Sequence, residues 1–179
     1  HSKGNIQEAS KYYEIFIDQG FKDHRVFSNY GTILQLQGKL QKAELYYRQA
    51  LELNPNYASA HANLGDILRT LGKLKEAEIS TRKALELNPN FANAYSNLGS
   101  ILMDLGNLQE AEFFQRKAIA INPNFANAYS NLGTILKDLG KLKEAEISTR
   151  KALELNPKLE IAFSNLGSIL MDLGKLKEA

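Results

Sequence analysis

Asparagine returns at a fixed step along this chain. Asn29, Asn63, Asn97, Asn131 and Asn165 stand 34 residues apart, and Asn93 and Asn127 keep the same step just ahead of two of them. A primary amide donates and accepts at once, so a row of amides offers an extended polypeptide what its N–H and C=O groups both require. The chemistry this suggests is recognition of a peptide backbone rather than bond making. The competing use is internal: each amide bonded to a neighbouring helix and copied whenever the repeat was duplicated.

Other chemistries find less support. His1, His24 and His61 lack zinc-ligand spacing, and the absence of cysteine excludes disulfides, thiolate metal sites and a cysteine nucleophile. Ser80 and Ser148 are copied with the repeat and have no local histidine base, and the carboxylates form no unique opposing pair. No GxxxxGK[ST] cradle occurs. The expectation is a non-enzyme without metal or cofactor. Asp104, Asp138 and Asp172 form a second polar column, read as solvated residues or as contacts for a basic ligand. Lys73, Lys75, Lys141, Lys143, Lys175 and Lys177 cluster at turns and read as solubilising surface.

A hydrophobic share of 44% argues against wholesale disorder, and a net charge of +2 without a basic stripe selects neither nucleic acid nor an anionic membrane surface. No apolar run approaches the roughly 18 residues that cross a bilayer. A cytoplasmic location is the resulting expectation, with a protein or extended peptide as partner, no nucleic acid and no membrane.

The elements that must position the asparagines follow from the same step. Leu64-Gly65, Leu98-Gly99, Leu132-Gly133 and Leu166-Gly167 recur with it, as do Ala43, Ala77, Ala111, Ala145 and Ala179, and Pro55, Pro89, Pro123 and Pro157. Each period predicts two helices. In one, residues 92 to 104 form a first helix that breaks at Leu105-Gly106, and residues 108 to 121 form a second that stops at "NPN", since proline lacks the N–H a helix needs. Tyr95, Leu98, Gly99 and Leu102 share the buried face of the first helix, with His61, Tyr129 and Phe163 at the position of Tyr95. Asn93, Asn97, Ser100 and Asp104 fall on the opposite, exposed stripe. A glycine repeated inside a helix, costing about 1 kcal/mol against alanine, implies a close helix approach.

An aromatic residue, Leu-Gly, two alanines and a proline in every 34 residues resemble the tetratricopeptide repeat. The resemblance implies an all-α, right-handed superhelical solenoid of antiparallel helix pairs, with first helices lining a concave face that binds peptides. Full repeats are expected at 24–57, 58–91, 92–125 and 126–159, with partial repeats at 1–23 and 160–179, the whole of 1–179 being one solenoid fragment of a longer protein. Extended backwards, the step places a turn at Gly4-Asn5 and a second helix over Ala9, Tyr13 and Phe16. The asparagine column is similar to the repeat region of O-linked N-acetylglucosamine transferases, which implies peptide-backbone contacts for Asn29, Asn63, Asn97, Asn131 and Asn165, with Asn93 and Asn127 beside them. No paired lysines match the arrays that clamp a C-terminal carboxylate. The alternative function is a structural spacer or oligomerisation module attached to a transferase domain elsewhere, with end-to-end self-association.

Overall fold

The computed structural model describes residues 2–174. They form ten α-helices and no strand: α1 (Ser2–Asp18), α2 (His24–Leu36), α3 (Leu40–Leu53), α4 (Ala58–Thr70), α5 (Leu74–Leu87), α6 (Ala92–Asp104), α7 (Leu108–Ile121), α8 (Ala126–Asp138), α9 (Leu142–Leu155) and α10 (Glu160–Asp172). The helix pair expected over 92–104 and 108–121 coincides with α6 and α7. The chain divides into two compact units, His1–Pro89 and Asn90–Ala179. Within each unit antiparallel helix pairs stack, and the second helix of one pair also packs on the first helix of the next, as α3 does on α4 and α7 on α8.

Two kinds of break set the helix lengths. Each first helix ends in a glycine of positive φ, such as Gly72 at +75°. Gly72 N–H then reaches Arg69 O at 2.9 Å and Lys73 N–H reaches Leu68 O at 2.8 Å, the paired bonds that close a helix C-terminus when the residue after the cap turns left-handed. Helices α3, α5, α7 and α9 each end at the asparagine before proline, which is extended, as Asn54 is at φ −140°. That asparagine also builds the turn: Asn54 Oδ1 accepts from Asn56 N–H, and Asn122 Oδ1 from Asn124 N–H, both at 3.1 Å.

Glycine and alanine bring the pairs together. A Cβ on Gly65 would collide with Thr81 Oγ1 and lie 3.2 Å from Ala77 O, while one on Gly31 would meet the Tyr47 ring at 2.9 Å. Ala43, Ala50, Ala77 and Ala84 in the first unit, and Ala111, Ala118, Ala145 and Ala152 in the second, are fully buried between helices. The side chains facing the glycines are fully buried polar groups after the first pair: Thr81, Gln115 and Thr149 take the place of Tyr47. Thr81 and Thr149 return their hydroxyls to Ala77 O and Ala145 O at 2.8 Å, and Gln115 Nε2 donates to Ser96 O at 2.9 Å.

Several expectations need correction. Gly4 and Asn5 lie inside α1 and not in a turn; Gly4 sits in the first helical turn, where glycine costs less than in a helix interior. Tyr13 and Phe16 do pack in α1, Tyr13 against Tyr30 and Phe16 against Phe21, at 6.2 and 5.2 Å between ring centres. Tyr95 and Tyr129 are half-buried rather than core, Tyr95 stacking 6.0 Å from Phe114 of its own pair. Phe163 is 55% exposed. His1, Lys175, Lys177 and Ala179 fall outside the described residues.

Candidate functional site

The first-helix face places its asparagines differently in the two units. In the first, Asn29 on α2 is exposed and Asn63 on α4 half-buried, and neither side chain forms a hydrogen bond within that unit. The link between the helices runs through other groups: Gln35 Nε2 donates to Asp66 Oδ2 at 2.7 Å, and Tyr47 Oη donates to Gln35 Oε1 at 3.1 Å. Arg25, at the head of the stripe, is drawn to Asp23, whose carboxylate caps α2 by accepting from Arg25 N–H at 2.7 Å. The Arg25 side chain and backbone hydrogen bonds hold the Asp23 carboxyl down at about 2.

In the second unit the amides turn back onto the preceding first helix. Asn131 Nδ2 donates to Ser100 Oγ at 3.2 Å and approaches Ser96 Oγ at 3.5 Å, and Asn165 Nδ2 donates to Thr134 Oγ1 at 2.8 Å. Lys137 Nζ donates to Ser168 Oγ at 2.7 Å in the same direction. Ser100, expected on the exposed stripe, is buried, because Asn131 and Gln115 Nε2 (3.4 Å) both reach its hydroxyl. Asn93 and Asn127 are exposed and Asn97 half-buried, while Asp138 and Asp172 stand in solvent. Asn165 keeps one N–H and its carbonyl oxygen for a further partner, and Asn131, whose Nδ2 faces both serine hydroxyls, keeps its carbonyl oxygen.

The lysines at the turns also do more than solubilise. Lys73 Nζ reaches back to Glu44 at 2.9 Å, and Arg48, bonded to the same carboxylate through Nε and Nη2, also donates from Nη2 to Glu76 at 2.7 Å. The second unit repeats this with Lys141 to Glu112 at 2.8 Å and Arg116 to Glu144 at 2.8 Å. Burial would raise the Glu44 and Glu112 carboxyls, but hydrogen bonds from the lysine and arginine outweigh it and hold both below the usual range. Lys75 and Lys143 remain exposed. These steps of 28 and 29 residues are visible in the sequence once the stacking is known, but no local pattern marks them.

His61, expected as core, is half-buried, with Nε2 2.9 Å from Pro55 O. No group of three or more histidine, cysteine, aspartate or glutamate side chains among the described residues is arranged to hold a metal ion. No helix among them is long and apolar enough to cross a membrane.

The tetratricopeptide repeat family matches residues 24–90 and 90–158. This chain belongs to that family. Tetratricopeptide structures resemble it over most of its length: a MamA structure at 26% identity covers 83% of this chain and 86% of its own, with a TM-score of 0.71. YrrB, described as a TPR protein with an unusual peptide-binding site, is 25% identical over 94% of this chain and 87% of its own, with a TM-score of 0.70. MamA from Desulfovibrio magneticus RS-1, at 22% identity, 87% and 88% coverage and a TM-score of 0.73, shares the tetratricopeptide fold. No curated protein matches the sequence significantly.

Proposed function

We propose that this tetratricopeptide chain is a non-enzymatic scaffold for protein–protein interaction that holds an extended peptide on its first-helix face through Asn29, Asn63, Asn93, Asn97, Asn127, Asn131 and Asn165. The observation that carries the reading is the pinning of Asn131 and Asn165 by Ser100 and Thr134. An amide held through its N–H loses its rotational freedom before a ligand arrives; Asn165 then offers its remaining N–H and C=O, and Asn131 its C=O, to a peptide unit. The similarity to YrrB, a TPR protein with a peptide-binding site, favours the same use. The likeness of the asparagine ladder to O-linked N-acetylglucosamine transferase repeats belongs to this proposal, as the reason to expect backbone rather than side-chain recognition. A cytoplasmic setting belongs to it too, motivated by the cysteine-free composition.

The test is a library of extended peptides displayed against the protein and against an Asn63→Ala/Asn97→Ala/Asn131→Ala variant. Selected peptides should bind the variant at least about tenfold more weakly, since each lost amide contact removes about 0.5–1.5 kcal/mol, while helicity holds and melting falls only by what the Asn131 bond to Ser100 contributes. Equal binding to both proteins would refute the amide clamp, and concentration-dependent self-association without peptide binding would favour the spacer or oligomerisation role.

A further inference from the structure

The second helices carry a surface that peptide binding on the first helices does not use. Leu45, Ile79, Phe113 and Ile147 recur at the 34-residue step on α3, α5, α7 and α9, and are 52, 72, 52 and 70% exposed. Single exposed apolar residues are ordinary, but two of these border grooves. In the first unit, α3 and α5 flank a groove of about 750 Å³ that includes Leu51, Leu64, Leu68 and Ile79. In the second, α7 and α9 flank one of about 700 Å³ that includes Leu132, Leu136 and Ile147.

The groove walls determine what kind of chain fits. Helices have already used their backbone groups on themselves, and the first groove is lined with no side-chain amide. An extended peptide would leave N–H and C=O groups unmatched there, whereas a helix brings its own satisfied. Charge narrows the choice. Around the first groove Arg48 is paired with Glu76 at 2.7 Å and Lys83 with Glu86 at 2.9 Å, but the exposed Glu52 has neither a hydrogen bond nor an ion pair. Around the second groove Arg116 pairs with Glu144, Arg150 with Glu146 and Lys151 with Glu154, and Tyr129 replaces His61, so no lining carboxylate is left over.

We propose that the groove between α3 and α5 docks an amphipathic α-helix of a partner protein, one that presents an apolar ridge flanked by a lysine or arginine. Leu51 and Ile79 receive the ridge over a floor formed by the buried Leu64 and Leu68, and Glu52 receives the cation. The second groove offers the same apolar contact without the charge preference.

The experiment uses the full chain carrying Ile147→Lys, which disables the second groove through an exposed side chain. Its probe is a fluorescein-labelled synthetic helix of about 14 residues, with leucines three and four apart on one face, one flanking lysine and otherwise alanine and glutamine, titrated by anisotropy. Binding is expected, weakened at least about tenfold by a further Ile79→Lys. Glu52→Gln should weaken the lysine peptide about threefold and leave a peptide with glutamine at that place unchanged. Asn63→Ala/Asn97→Ala/Asn131→Ala should leave helix binding intact, separating this surface from the amide face. Absent binding, equal binding to the Ile79→Lys protein with its circular dichroism unchanged, or an Ile79-dependent dimer that the peptide does not displace, would overturn the proposal, the last in favour of a second copy as occupant.

Discussion

Between neighbouring first helices, the first unit uses Gln35 against Asp66, backed by Tyr47, whereas the second uses Asn131 against Ser100 and Asn165 against Thr134. Helices α5 and α9 are identical in sequence and make the same bonds: Ser80 to His61 O and Ser148 to Tyr129 O, each at 3.0 Å, and each threonine to its own alanine carbonyl. Identical helices thus repeat their local contacts faithfully. The differences arise where a side chain reaches into the adjacent repeat: Asn63 and Thr32 stand as Asn165 and Thr134 do, but Thr32 Oγ1 is already engaged by Ser28 O and the Tyr47 hydroxyl.

The largest effects should come from the glycines, and they ask whether the opposing side chain decides how tightly a pair closes. Gly65→Ala pushes a methyl against Thr81, a β-branched residue held by its bond to Ala77 O, and should cost about 2–3 kcal/mol in urea unfolding. Gly99→Ala meets Gln115 Nε2 at 2.9 Å, a longer side chain with more rotamers, and should cost about 1 kcal/mol. A Thr81→Ala change added to Gly65→Ala should recover most of the loss. Equal costs at the two glycines would break the comparison.

Next come the asparagines. Replacing Asn131 and Asn165 by alanine removes inter-repeat hydrogen bonds, at about 0.5–1.5 kcal/mol each, and should lower the melting temperature. Asn29→Ala with Asn63→Ala should leave melting within the roughly ±0.5 kcal/mol of ordinary surface changes. If both pairs destabilise alike, the pinned amides are not special to the second unit.

The ion-pair links should behave alike in both units. Because the folded state holds Glu44 and Glu112 below their usual value of 4.5, their stabilisation is complete above that value and is lost as pH falls through it toward the lower folded value. Glu44→Gln and Glu112→Gln should each cost about 0.5–1 kcal/mol at neutral pH and flatten the acid limb of a melting-versus-pH curve. Smallest of all is Gln115→Met: it removes a bond to Ser96 O and a long one to Ser100 Oγ but also a buried Oε1 that has no partner, so melting should shift by less than about 0.5 kcal/mol.

The helices were legible because their signals are local. The glycine after each first helix and the Asn-Pro after α3, α5, α7 and α9 carry their own conformational preferences, and the spacing of Leu98, Gly99 and Leu102 marks the buried face without knowledge of the neighbour. The candidate site was only partly legible. The column of asparagines could be read from the step, and so could the exposure of Asn93 and Asn127. The burial of Ser100, the inter-repeat role of Lys73 and Lys141 and the exposed apolar rim at Ile79 could not, since each depends on which side chain from a neighbouring helix arrives beside it.

The sequence by itself determined that this is a tetratricopeptide array: its period, its helix ends, its small residues at the crossings and the alignment of its amides. These follow from backbone preferences and helical spacing, which act over a few residues. Tertiary structure decided that Asn131 and Asn165 are held by hydroxyls while Asn29 and Asn63 are not bonded within their unit, and that Glu52 is left uncompensated at the groove between α3 and α5. The physical reason is distance: hydrogen bonds and ion pairs are made over about 3 Å, and only packing brings groups about 30 residues apart within that reach.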